Sequence, residues 1–258
     1  MEADIIALLT LVAMIAGTID AIAGGGGLLT LPALMIAGLP PINAIATNKL
    51  QATAGSFSAT VAFARRKLIN WKKGGPIALL AFSGGMLGAN LISQIPQEYL
   101  KAAAPILLLV IATYFIFSPK FTDVERKPKM PRLLFLFTFV PLIGFYDGVF
   151  GPGTGSFYIV AFVALQGHGL LSANAYTKLA NFSCNLGSLL VFLFHGNAYF
   201  VIALCMAVGA FVGAQIGSRF AVRFGARLIK PLLIILSTIM AIKLLLDPTN
   251  PLIQLIRG

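Results

Sequence analysis

The stretch "GTIDAIAGGGGLLTLPALMIAG", Gly17 to Gly38, places four consecutive glycines inside an apolar run long enough to be a membrane helix. Each glycine costs about 1 kcal/mol relative to alanine in a helix interior. The stretch therefore reads as a helix ending near Ala23, a glycine break over Gly24, Gly25, Gly26 and Gly27, and a short helix from Leu28 to Gly38. Those 11 residues extend about 17 Å, too short for a hydrocarbon core of about 30 Å.

Composition places the break in a membrane. The 258 residues are 58% hydrophobic and 10% charged, with a mean hydropathy of +0.91, whereas a soluble domain carries roughly a quarter of its residues charged. Ten apolar runs follow one another at about 4–23, 27–38, 44–64, 74–93, 97–117, 132–150, 154–167, 171–194, 198–218 and 226–246. The first ends in Ala21-Ile22-Ala23 and superficially resembles a signal peptide, but Glu2 and Asp4 make its start acidic, so it reads as a retained helix. Cys184 and Cys205 lie inside apolar runs and read as buried small hydrophobes, with no disulfide or metal framework implied.

The chain is a duplication. Gly17, Asp20 and Gly24 pair with Gly144, Asp147 and Gly151 at an offset of 127. "ATNKLQATAGS" (Ala46 to Ser56) then falls on "AYTKLANFSCN" (Ala175 to Asn185), "GGMLGA" (Gly84 to Ala89) on "GAFVGA" (Gly209 to Ala214), and Pro105 on Pro231. Residues 1–117 form one repeat and 132–258 the other, joined by a polar linker over 118–131.

Orientation follows from the basic residues. "RRKLINWKK" (Arg65 to Lys73), the linker with Arg132, and Arg219, Arg223, Arg227 and Lys230 together hold 14 of the 19 lysines and arginines. The positive-inside rule puts these segments in the cytoplasm, with "QIPQEY", "FHGNAY" and both termini outside. The third run then ends inside while its partner, the eighth, ends outside, so the repeats are inverted. The predicted fold is an all-α integral membrane protein, each repeat a glycine-broken helix and half-helix hairpin plus three transmembrane helices. Such architecture is common in secondary transporters. Orientation also accounts for the net charge of +11, and nucleic-acid binding loses its support.

The second break, "YDGVFGPGTGSFYIV", has the same form, with Pro152 unable to donate a backbone hydrogen bond. Non-helical backbone at membrane depth is tolerated only where it is buried in protein or lines an aqueous cavity. A helix starting after such a break presents unpaired N–H groups and the positive end of its dipole, which suits a small anion. Gly24 to Gly27, and Gly151, Gly153, Thr154 and Gly155, are accordingly candidate binding residues. Gly84, Gly85, Gly88, Gly209, Gly213 and Gly217 recur at three- and four-residue spacing and read as tight helix crossings instead.

Ionisable residues within spans face a cavity or a partner. Asp20 and Asp147 each precede a break by four residues, while Lys49 and Lys178 lie early in the following helices. Each aspartate either braces a lysine or carries a proton, and each lysine either joins that brace or binds the anion. Asn48, Gln51, Thr177 and Asn181 are candidates for completing a hydrogen-bonding cage. Ser56, Ser183 and Asn185 lie nearby. His168 and His195 fall in short loops and are expected to be solvated, while Trp71 and Tyr99 fit interfacial anchors. No phosphate-binding loop, metal cluster or nucleophile with a neighbouring histidine is present in the sequence, so neither catalysis nor a cofactor is expected.

The segments "GTIDAIAGGGGLLTLPALMIAGLPPINAIATNKLQATAGSFSA" and "GFYDGVFGPGTGSFYIVAFVALQGHGLLSANAYTKLANFSCNLGSLL" resemble the sulfite exporter TauE/SafE family, also called the 4-toluene sulfonate uptake permease family. The resemblance covers essentially the whole chain. It implies a bacterial inner-membrane permease for small sulfur-containing anions such as sulfite or organosulfonates, with neither direction nor substrate fixed. A secondary transporter working as an exporter is the leading expectation. An anion channel, or a membrane-embedded enzyme or assembly factor, stays open, as does a homo-oligomer.

Overall fold

The computed structural model of the chain describes residues 3–92, 113, 123–195 and 198–245. The fifth apolar run (apart from residue 113), Pro105 and Tyr99 lie outside the described residues. Ten helices follow one another among the described residues. They are α1 (Ala3–Ala23), α2 (Gly27–Ile36), α3 (Pro41–Arg65), α4 (Trp71–Leu91), α5 (Arg132–Phe137), α6 (Phe139–Val149), α7 (Thr154–Gln166), α8 (Leu170–Phe194), α9 (Phe200–Phe224) and α10 (Ala226–Leu245). Among the described residues, five spans are long and apolar enough to cross a membrane: α1, α4, α5 with α6, α8 and α9. At 10 and 13 residues, α2 and α7 extend only about 15 and 20 Å.

One predicted helix is divided. The run over 132–150 separates at Thr138 into α5 and α6, because Pro141 has no N–H to give the Phe137 carbonyl and its ring crowds that group. Elsewhere starts and stops follow local chemistry. Pro41 opens α3, where a missing N–H costs nothing, and the Asn70 side chain accepts from the N–H groups of Lys72 and Lys73 at 3.0 and 3.4 Å to start α4.

Packing crosses the two halves of the sequence. The helix α9 packs on α1 and α3, α4 packs on α6 and α8, and α3 meets α8. The small residues expected at crossings are there: a Cβ on Gly209, Gly213 or Gly217 would lie 2.3, 1.9 or 2.2 Å from the carbonyl oxygens of Thr10, Met14 and Thr18 in α1. On α4, Gly84, Gly85 and Gly88 meet the Pro141, Cys184 and Phe145 carbonyls at 2.3, 2.2 and 2.1 Å in the same sense. Main chains that approach this closely gain dispersion contacts that larger residues would forbid.

The part of the linker within the described residues is docked. One carboxylate, Asp123, accepts from Leu171 N–H at the start of α8 at 2.9 Å and from Ala226 N–H at the start of α10 at 3.1 Å. Arg126 N–H donates to the Gly167 carbonyl at 2.7 Å, and Lys129 N–H to that of Leu165 at 2.9 Å. The basic segments therefore gather at one end of the bundle, where Arg132 also donates to the Lys73 carbonyl at 3.1 Å.

His168 departs from expectation. Rather than being solvated, its ring lies among Phe162 and Tyr176, with centroids 5.9 and 5.1 Å away, and its Nδ1 is 3.5 Å from the Glu125 carboxylate. The linker folds back over the loop that holds it, which spacing along the chain does not reveal.

Two outcomes are expected. Gly213→Val should lower stability by about 1–3 kcal/mol or more, the cost of overpacking, while Gly75→Val, where an added Cβ meets nothing within 4 Å, should leave the thermal melt in detergent unchanged. Burial holds the His168 imidazole below its ordinary 6.5, against the opposing pull of Glu125 and in the company of Lys73 and Arg132. The unfolded chain thus binds more protons in the window just below 6.5, so stability should fall as pH drops through it. Melts recorded across that window should lose this part of the slope in His168→Gln.

Candidate functional site

A helix that ends buried inside a protein leaves its last four carbonyls without intrahelical donors. At the end of α1 all four are answered, largely by the other half of the sequence. The Lys178 ammonium donates to the Asp20 carbonyl, which also accepts from Gly24 N–H at 2.8 Å. Asn174 Nδ2 donates to the Ala21 and Ile22 carbonyls at 2.9 and 3.0 Å, and Ser156 Oγ to that of Ala23 at 3.4 Å. The same device closes α6, whose Asp147 carbonyl accepts from the Lys49 ammonium.

Each lysine also pairs with the side chain of the same aspartate. Lys49 Nζ lies 2.8 Å from Asp147 Oδ2, and Lys178 Nζ 3.3 Å from Asp20 Oδ2. The pairing is crossed: each half's lysine meets the other half's aspartate. The pairs differ in exposure, since the Asp147 side chain is 4% exposed and that of Asp20 24%. Asp20 Oδ1 in turn accepts from Gly26 N–H at 3.0 Å, in the turn that opens α2.

The breaks touch. A Cβ on Gly24 would lie 2.6 Å from the Gly155 carbonyl carbon, and one on Gly155 2.7 Å from Gly24 Cα. Gly24, Gly25, Gly151 and Gly153 all have positive φ, a conformation that residues with a Cβ rarely adopt. Asparagine or alanine at Gly24 would thus fail twice, by conformation and by contact.

Between the breaks lies a cavity of about 50 Å³. Both half-helices begin on its wall, α2 through Gly25, Gly26 and Gly27 and α7 through Gly151, Gly153, Thr154 and Gly155. The rest comes from α1, α3, α6, α8 and α9, including Asp20, Asn48, Lys49, Gln51, Asp147 and Asn181. One water needs ~10–15 Å³ on this measure, so the cavity fits roughly four water-sized groups, about the bulk of a small oxyanion.

Its polar lining is organised but not saturated. Asn48 Oδ1 accepts from Thr30 Oγ1 at 2.5 Å and Gln51 Nε2 at 2.6 Å, which turns its amide nitrogen toward Gly27, whose absent Cβ would stand 3.7 Å away. The buried side-chain oxygen of Asn181, Oδ1, has no partner among the described residues. The four charges cancel in two pairs, so the polarity of the cavity rests on the half-helix starts and amide side chains rather than on net charge.

Thirteen of the sixteen sequence-predicted positions line this cavity, and three, Gly24, Thr177 and Lys178, do not. Thr177 is buried with its hydroxyl unpartnered, and Lys178 is turned to the end of α1. Thr30, Ser156 and Asn174 were not singled out by the sequence. The available signal was the need of four stranded carbonyls for donors, which does not say which residues supply them.

The chain matches the sulfite exporter TauE/SafE family over residues 9–244. It is 51% identical over 248 residues to a probable membrane transporter protein, ORF9, of Sinorhizobium sp., covering 96% of this chain and 95% of that one. It is 45% identical over 243 residues to the probable membrane transporter protein YfcA of Escherichia coli K12 (94% and 90% covered). A probable membrane transporter protein of Haemophilus influenzae is 42% identical over 244 residues (95% and 96%).

Removing one member of a buried ion pair strands the other, at a cost of about 3–5 kcal/mol, while replacing both with apolar groups is often nearly neutral. Lys49→Met and Asp147→Leu should each destabilise the protein by about that amount, and the double variant should recover most of the loss in a thermal melt.

Proposed function

Because the chain belongs to the sulfite exporter TauE/SafE family of membrane transporters, we propose that it is a secondary transporter that binds one small anion in the cavity between the glycine breaks. The observation that carries this reading is the convergence of both half-helix starts on one small polar cavity. In this reading the anion accepts from the N–H groups of Gly25, Gly27, Gly153 and Gly155 and from the amides of Asn48 and Asn181, while Gly26 N–H stays with Asp20 and the Gln51 amide with Thr30 and Asn48. Inverted repeats rocking about the cavity expose it to each side in turn. The family's name supports sulfite, and by resemblance organosulfonates, as the cargo, with export as the working direction.

The ion pairs suggest how a proton is linked to the anion. While Asp147 is ionised it holds Lys49 at 2.8 Å; a proton on Asp147 frees that ammonium to face the anion. Asp20, the more exposed of the two aspartates, is the alternative proton acceptor. Lys178 contributes by holding the end of α1 rather than by touching cargo.

Proteoliposomes test this directly. Sulfite uptake should saturate and be accelerated by sulfite preloaded on the opposite side, while large single-channel currents would overturn the carrier reading. Gly27 has helical φ and room for a side chain, so Gly27→Val should insert and fold normally yet lower transport at least tenfold. Unchanged transport in that variant would place the anion elsewhere.

A further inference from the structure

We propose that the basic end of α9, together with the neighbouring end of α3, holds the headgroup of an anionic phospholipid. One face of α9 is open along the helix: Leu204, Val208, Val212 and Ile216 are 57%, 65%, 44% and 39% exposed. Their four-residue spacing puts them on one side. Just beyond Ile216 the same side carries Arg219 and Arg223, both exposed. An apolar strip that ends in two guanidinium groups has the order of a phospholipid, with an acyl chain along the strip and the phosphate at the arginines.

The end of α3 adds to the cluster. An added Cβ on Gly55 would lie 3.3 Å from Ala210 Cβ, and Gln215 Nε2 donates to the Ser58 carbonyl at 3.0 Å, so α3 and α9 run side by side in the same direction. About two turns past Ser58, α3 ends at Arg65, followed by Arg66, and both are exposed. None of the ion pairs among the described residues includes these four arginines. The Asp123 carboxylate, which lies against Gly225, is already bonded to the N–H groups of Leu171 and Ala226.

The arginines are set for phosphate. The Arg223 guanidinium carbon stands 5.4 Å from the centroid of the Phe224 ring, which in turn stacks on Phe220 at 6.2 Å. A guanidinium resting on a ring keeps its N–H edge free for paired hydrogen bonds to phosphate oxygens. Clusters of roughly four or more basic residues beside a membrane span attract anionic lipid. A zwitterionic headgroup would bring its own cation toward the cluster, and a soluble anion would use the arginines but not the strip that leads to them.

Native mass spectrometry of the detergent-solubilised protein, titrated with dioleoylphosphatidylglycerol or dioleoylphosphatidylcholine, should show the first bound roughly tenfold more tightly or better. Arg219→Gln combined with Arg223→Gln should abolish that preference, and Arg219→Glu alone should reduce it if the double variant does not fold. Lys72→Gln combined with Lys73→Gln, an equal loss of charge on α4, should leave it in place. Equal affinity of the unmodified protein for the two lipids, a preference unchanged in the folded α9 variants, or one lost equally in the α4 variant would overturn the site. Release of the bound phosphatidylglycerol by inorganic phosphate would overturn the lipid assignment in favour of a free anion.

Discussion

The structure depends on how two helices can end among buried residues. Ending α1 at Ala23 and α6 at Val149 strands carbonyl groups inside the protein, where solvent does not reach them. The ammonium groups of Lys178 and Lys49 answer this need, each bonded at once to a backbone carbonyl and to the carboxylate of the same aspartate. A cation there also meets the negative end of the helix dipole. One lysine thus satisfies a carbonyl, a carboxylate and a dipole together.

Because each lysine comes from the opposite half, each break is braced by the other half. The crossed pairs bring the glycine turns into backbone contact at Gly24 and Gly155, and only glycine permits that approach. The half-helices then start on a shared cavity. Asp20, Lys49 and Asp147, which brace the two helix ends, therefore also line that cavity.

Away from the site, the bundle is held by backbones in contact. Apolar side chains gain little from one another in lipid, which is as apolar as they are, so α1 meets α9 and α4 meets α6 through glycines. The linker works differently, through polar bonds at an aqueous end. Asp123 joins the starts of α8 and α10 with one carboxylate, which ties the second half's hairpin to the helix that follows α9.

Sequence by itself determined the membrane class, the two breaks, the half-helix lengths and the packing glycines, because each follows from local composition, periodicity or internal repetition. Asp20, Lys49, Asp147 and Lys178 stood out for the same reason: a charge in an apolar run is costly wherever it points. Their partners were another matter, since bracing and anion binding place the same residues at the same positions. Only tertiary structure decided that Lys49 meets Asp147 and Lys178 meets Asp20, that Asn174 and Ser156 serve the end of α1, and that His168 sits under the linker. Those facts depend on which segments, 98 to 158 residues apart for the two lysine pairs, are brought together in space, and no local pattern encodes that distance.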